Sequence, residues 1–179
     1  QAHRRLGSAV TIIEMARLLP GDDEELTAVV QHSLTREGIN IRTGVKVEGV
    51  ANAGDGVTVH LDNGDVIEGS HLLLSAGRKP NLGGLNLDAA GVEYSPKGIV
   101  VDAGLRTSNR KIYAIGDVAG GMKFTHVAGH HAGIVIRSAL FRLPAKAKGE
   151  EQIPWVTYTD PELAHVGLRE EAAKAQYGR

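Results

Sequence analysis

The sequence contains no cysteine in 179 residues, which excludes a disulfide framework, thiolate metal sites and cysteine nucleophiles within this stretch. No apolar run approaches the roughly 20 residues that a bilayer-spanning helix needs. No apolar segment follows Arg4-Arg5 to make a signal peptide either. An excess of one charge is also missing: 20 basic and 21 acidic residues leave a formal net charge of -1 with no basic block. Nucleic acid and anionic membrane surfaces are therefore not expected partners. The G-x-G-x-x-G phosphate-binding fingerprint, the G-x-S-x-G elbow of serine hydrolases and the H-E-x-x-H zinc helix are all absent, as are internal repeats and low-complexity tracts. What remains, with 42% apolar residues and both charges interspersed, reads as a soluble, cytoplasmic chain able to bury a core.

The elements alternate in type. Gln1 to Leu6 reads as the end of a helix closed by Gly7, which implies further sequence upstream. Ala9 to Glu14 is a short β-branched run, as expected of a buried parallel strand. After Pro20-Gly21, a helix capped by Asp22, with Glu25 three residues on, is predicted to run to about Glu37, with Leu26, Val29, Val30 and Leu34 at helical spacing. Ile39 to Thr43, Lys46 to Ala51 and Gly56 to Leu61, followed by the turn Asp62-Asn63-Gly64-Asp65, indicate antiparallel hairpins. His71 to Ser75 is predicted as another buried strand, running into the glycine turn Ala76 to Asn81. Leu82 to Gly98 is a Gly-, Asn- and Asp-rich connector. Strands are then expected at Gly98 to Asp102 and Lys111 to Ile115, a helix at Thr125 to Phe141, and a linker from Pro144 to Gln152. Strands at Trp155 to Thr159 and Leu163 to Gly167 and a helix from Arg169 begin a third unit.

Two constellations carry chemistry. Glu14 ends its strand, the place where a dinucleotide-binding βαβ unit puts the acid that accepts the ribose hydroxyls, about 20 residues after the glycine turn. Its carboxylate would repel a 2′-phosphate and favour NAD over NADP, while nearby Arg17 argues the other way. Read alone, Glu14 is an ordinary strand-end acid. The run Ile112-Tyr113-Ala114-Ile115-Gly116-Asp117 is an apolar strand ending in glycine, followed by an aspartate able to accept bonds from adjacent hydroxyls such as those of a ribityl chain. A helix starting near Thr125-His126 aims free N–H groups and its positive dipole end toward the same place, where they would stabilise negative charge on the pyrimidine edge of a reduced flavin. Taken without its neighbours, that run is a plain turn.

The order of motifs is more specific. Ser75 to Asn81 (SAGRKPN), Thr107 through Ile112 to Asp117 (IYAIGD), Phe124 to Ala128 (FTHVA) and Thr157 to Leu168 (TYTDPELAHVGL) resemble, in order and spacing, the flavin-dependent pyridine nucleotide-disulfide oxidoreductases, in the branch of dihydrolipoamide dehydrogenase and mercuric reductase. The resemblance implies an α/β fold of partial FAD- and NAD(P)-binding Rossmann-like domains with antiparallel β insertions, plus the start of an α+β dimerisation domain. It implies residues 1–81 as the C-terminal part of the NAD domain, 82–144 as the second FAD segment and 153–179 as the beginning of the dimerisation domain. Glu14, Val45 and Gly77 fall where family members contact NAD; Gly116, Asp117, Thr125 and His126 fall on the FAD side, with Arg78 tying loops together. The implied cofactors are FAD and NAD, and the implied partners are a second subunit and a small dithiol, disulfide or metal-ion substrate.

Three family features have no counterpart here: the N-terminal glycine fingerprint, the redox-active cysteine pair and the C-terminal His-Glu pair. Without a thiolate the chain cannot run the disulfide half-reaction, so no residue is assigned as catalytic and the chain alone is expected to be inactive. A non-catalytic dinucleotide-binding or dimerisation module and a non-disulfide NADH oxidase are the alternatives. His126 and His130 at i and i+4, with His131 adjoining, have zinc spacing but no accompanying glutamate, so packing or flavin-side roles are expected and no metal site.

Overall fold

The computed structural model describes residues 1–147 and 152–178. The chain folds as two units, one formed by Gln1–Ser75 with Val156–Arg179 and the other by Ala76–Trp155.

The first unit opens with one helical turn, α1 (Ala2–Arg5), and strand β1 (Thr11–Glu14). Helix α2 (Glu24–Arg36) crosses over to β2 (Asn40–Thr43), which pairs in parallel with β1 from Thr11↔Asn40 to Glu14↔Thr43. The expected hairpin role for Ile39 to Thr43 is thus corrected. With a helix as crossover the second strand returns in the same direction, and its neighbour is the strand before the helix. Val30 and Leu34, four apart on α2, bury with Leu18, Ile39 and Leu163, while Val10, Ile12, Leu19 and Ile41 pack around them. Leu26 and Val29, counted on the same apolar face, lie toward solvent. The N-cap is Asp23, one residue later than expected, and makes no side-chain capping bond. Past the helix end, after the C-cap Glu37, comes Gly38, whose φ of +84° suits glycine and where a Cβ would stand 3.1 Å from the Arg4 guanidinium.

Strands β3 (Val47–Ala53), β4 (Gly56–Leu61) and β5 (Val66–Gly69) form the expected antiparallel sheet in the order β3-β4-β5. Alternate residues Val59 and Leu61 of β4 are buried. The turn after Leu61 is closed by its own side chains: Asn63 Oδ1 accepts the Asp65 amide at 3.0 Å, and Gly64 takes a φ of +87°.

Residues 71–80 form no strand, which corrects the expectation for His71 to Ser75. A parallel strand exists only as a ladder with a neighbour. Among the described residues none pairs with this segment, so Leu73 and Leu74 are 77% and 79% exposed.

The second unit is built mostly of turns. Its only paired strands among the described residues lying wholly within it are the two-residue β6 (Tyr94–Ser95) and β7 (Gly98–Ile99). The strands expected at Gly98 to Asp102 and Lys111 to Ile115 shrink accordingly, the latter to one bridge between Tyr113 and Arg106. Local polar closure explains part of this, because Asp102 Oδ1 accepts the amides of Gly104 at 2.8 Å and Arg106 at 3.0 Å and turns the chain back early. Leu87, Val92, Ile99 and Ala114 form the core, with Ile112 and Val118 packed against it. A 3-10 turn, Gly116–Ala119, leads to α3 (Thr125–Ala139), close to the expected helix. The linker expected between Pro144 and Gln152 lies partly outside the described residues.

At the end of the sequence, β8 (Trp155–Thr157) and β9 (Leu163–His165) pair, and α4 (Glu170–Tyr177) follows. Residues from 156 onward are tied to the start of the chain. Arg5 bridges Glu37 at 2.6 Å and Asp160 at 2.7 Å, Gln1 exchanges bonds with the Asp160 backbone in both directions, and Ser33 Oγ donates to the Asp160 carbonyl at 2.8 Å.

Candidate functional site

In the first unit the residues read as nucleotide contacts come together at the carboxyl end of β1. Glu14 Oε1 accepts the Ala16 amide at 2.9 Å, and its backbone carbonyl accepts the Val45 amide at 3.5 Å, so the acid and the valine after β2 are neighbours. The other carboxylate oxygen of Glu14 has no hydrogen-bond partner among the described residues. Arg17 is engaged elsewhere: its guanidinium donates to the carbonyls of Leu19, Pro20 and Asp22 and to Thr27 Oγ1, closing the turn ahead of α2.

In the second unit Gly77, Arg78, Gly116, Asp117, Thr125 and His126 are linked through two loops. Gly77 has a φ of +94°, and a Cβ there would meet nothing within 4 Å, so its backbone is open to a ligand. Arg78 and Lys123 clasp each other, the Arg78 guanidinium donating to the Lys123 carbonyl and Lys123 Nζ to the Arg78 carbonyl at 2.5 Å. The same guanidinium stands 3.4 Å from Asp117 Oδ2. Arg78 is thus the loop tie expected of it. The Asp117 carboxylate is 47% exposed and, at that distance, weakly held.

Gly116 has two reasons to be glycine. Its φ is +65°, and a Cβ would lie 3.0 Å from the Cβ of Ala128 on α3. This close approach is how α3 packs on the turn. The helix begins at Thr125, and its N-cap, Phe124, supplies no side-chain bond, which leaves first-turn N–H groups for a ligand or water. The Phe124 ring stacks on His126 at a centroid distance of 5.2 Å, and His126 Nε2 lies 2.7 Å from the Pro154 carbonyl, to which it donates. That bond turns its ring nitrogen to the backbone.

The residue missed as a participant is His131. It is buried, and its Nδ1 accepts the Gly116 amide at 3.1 Å. Burial, then the neighbouring His130, push its pKa below the ordinary histidine value. A signal was present: Val127, His131 and Ile134 share the buried stripe of α3, and a polar side chain in such a stripe has to find a partner. Among the described residues no group of three or more His, Asp or Glu side chains is placed to hold a metal.

The residues fit one end of a flavin dinucleotide: a half-exposed carboxylate for ribityl hydroxyls, a glycine turn that a Cβ would fill, and an uncapped helix N-terminus against it. A phosphate-cradling glycine fingerprint is not in the sequence.

A βαβ unit in the first unit and a Gly-Asp turn backed by a helix in the second define an α/β protein with partial Rossmann-like character. The chain belongs to the pyridine nucleotide-disulphide oxidoreductase family, whose profile matches residues 1–132. A mercuric reductase of Bacillus cereus is 43% identical to it over 97% of this chain and 28% of that protein. A dihydrolipoyl dehydrogenase of Bacillus subtilis is 38% identical over 97% of this chain and 38% of that protein. Among solved structures, the HOCl-induced flavoprotein disulfide reductase RclA of Escherichia coli matches with a TM-score of 0.88 at 30% identity, covering 96% of this chain and 40% of that one. LpdA of Mycobacterium tuberculosis matches with a TM-score of 0.90 at 28% identity, covering 98% and 38%. The chain therefore spans 28% to 40% of the length of these relatives.

Proposed function

We propose that this chain supplies part of the NAD site and part of the FAD site of a flavin-dependent pyridine nucleotide-disulfide oxidoreductase, with residues 1–81, 82–144 and 153–179 belonging to its NAD, FAD and dimerisation domains. The observation that carries the reading is the half-exposed Asp117 carboxylate beside the Gly116 turn and the uncapped start of α3. When bound, FAD would pass electrons between the nicotinamide and an acceptor. This chain's own residues bind and orient. Asp117 accepts ribityl hydroxyls, the Thr125 and His126 backbone presents N–H groups to the ring, Glu14 accepts the ribose hydroxyls of NAD with Val45 beside the adenine, and Gly77 leaves room at the nicotinamide side. Arg17, tied to carbonyls, is not left to meet a 2′-phosphate beside Glu14, which supports NAD over NADP.

The terminal substrate would be a dithiol, a disulfide or a metal ion, in keeping with the names of the relatives, and the working state a cytoplasmic homodimer. Among the described residues no helix is long and apolar enough to cross a membrane. The thiol half of the reaction needs cysteines that this chain does not contain. That fact favours a second reading, a dinucleotide-binding or dimerisation module without redox activity of its own.

Titrating FAD into the 179-residue chain and following flavin fluorescence tests the site. Saturable quenching is expected. Unchanged fluorescence up to about 1 mM FAD, where binding would be worth only about 4 kcal/mol, would sink the FAD site. Saturable binding without NADH-dependent bleaching of the flavin would favour the module.

A further inference from the structure

We propose that His131 is a positioning residue for the Gly116–Asp117 turn: its neutral ring, carrying the proton on Nε2, accepts the Gly116 amide at Nδ1 and thereby sets the direction in which Asp117 leaves the chain. The link to flavin rests on the functional reading above; the link between His131 and the turn does not.

The geometry is particular. Gly116 N and His131 Nδ1 are 3.1 Å apart in a buried setting, fifteen residues apart in sequence. The turn has a left-handed glycine at its head, pressed against Ala128, and is otherwise closed by the Gly120 amide on the Asp117 carbonyl at 3.2 Å. His131 is therefore the side chain of α3 that joins the helix to the amide just ahead of the carboxylate. An acceptor is required at that position, because a buried N–H left without one loses stability that no packing restores. A second proton on the ring would turn Nδ1 into a donor facing another donor. The titratable group acting on the ring is His130 on the same helix, with ring centroids 6.3 Å apart; on the turn packed against α3, Asp117 follows Gly116 and shares its carboxylate with Arg78. Burial and His130 keep the ring neutral, the state in which Nδ1 can accept.

The 179-residue chain, with and without FAD, tests this through Gly116 amide protection measured by hydrogen exchange and corrected for intrinsic rate at each pH. Asparagine carries an acceptor oxygen at the position of Nδ1 and does not titrate; leucine fills the space with no acceptor. His131→Leu is expected to lower Gly116 protection roughly 3- to 10-fold at every pH and to weaken FAD binding by a similar factor. His131→Asn should retain the protection and remove the loss expected of the wild type as pH falls below the ordinary histidine value of about 6.5. Unchanged protection in His131→Leu overturns the proposal, and so does equal loss in the Asn and Leu variants, which a purely packing role would give. Should the leucine variant not fold, the pH profile of His131→Asn against wild type still decides. Asp117→Asn separates the two readings. If it leaves FAD affinity unchanged while His131→Leu frees the amide, the flavin assignment fails and the positioning role stands.

Discussion

Arg78 reaches across from the glycine turn to Asp117, its guanidinium 3.4 Å from the carboxylate, while its other arm donates to the Lys123 carbonyl. Both side chains are largely solvent-exposed, so this ion pair contributes no more than about 1 kcal/mol to stability. Asp117 therefore keeps its accepting capacity for a ligand. Asp117→Asn is expected to weaken FAD binding about 10- to 100-fold, the effect of losing charge-assisted bonds to hydroxyls, with little change in melting temperature. Arg78→Gln should leave FAD affinity within a few-fold of wild type. A fluorescence titration giving equal losses for the two variants would mean that the clasp, and not the carboxylate, governs the site.

The coenzyme prediction turns on Glu14 and Arg17. Glu14→Ala should weaken NADH binding by about tenfold, whereas NADPH, repelled by the carboxylate in the wild type, should lose less or gain. Arg17→Ala should not change the ratio of NADH to NADPH affinity. It should instead lower stability by on the order of 1 kcal/mol, since the carbonyls of Leu19, Pro20 and Asp22 lose their shared donor. Calorimetric titration of both coenzymes, with a urea melt, separates these effects. A drop in NADPH affinity on Arg17→Ala would make Arg17 a phosphate ligand after all.

The legible parts of the fold were those whose stability is local. Helices α2 and α3 and the β3-β4-β5 sheet announce themselves through 3.6- and 2-residue periods and through turns such as Asn63-Gly64. Leu72, Leu73 and Leu74 carry the composition of a buried strand but pair with none of the described residues, because a parallel ladder depends on a neighbour that composition cannot supply. At the site, Gly116 and Asp117 were readable from the strand-Gly-Asp pattern, and the departure of Arg17 toward the α2 turn was not, since four acceptors around one guanidinium form only after folding. His131 lay between, visible as a polar residue in an apolar stripe while its partner was not.

A pH dependence follows from Glu37. The hydrogen bond from Arg5 holds its carboxyl at about 2, below the usual 4.5. A depressed carboxylate contributes stability that is fully present above its unfolded value and disappears as pH falls toward the folded one. The urea midpoint of wild type should therefore exceed that of Glu37→Gln by a constant margin above about pH 5, with the margin shrinking between about pH 4.5 and 2. Added salt should reduce the margin at neutral pH, because the Arg5 side chain is about half-exposed and Glu37 is only partly buried. Two pH profiles that stay parallel down to pH 2 would show that the Arg5–Glu37 pair is not coupled to folding.

Leu163 tests whether the last part of the chain is part of the first unit. It is 6% exposed and packs with Leu18, Val30, Leu34 and Ile39, residues at least 124 positions earlier in the sequence. If those residues form one core, Leu163→Ala should cost about 2–5 kcal/mol, the range for a buried leucine whose surroundings relax incompletely. The loss should register in the unfolding of the first unit, read as the exchange of α2 amides around Val30 and Leu34. Val166→Ala supplies the control: Val166, three residues on, is 67% exposed and should change little. Equal small effects from both substitutions would mean that residues 156–178 rest on the unit without completing its core. A large Leu163 effect that leaves α2 exchange unchanged would assign the burial to β8, β9 and α4 alone.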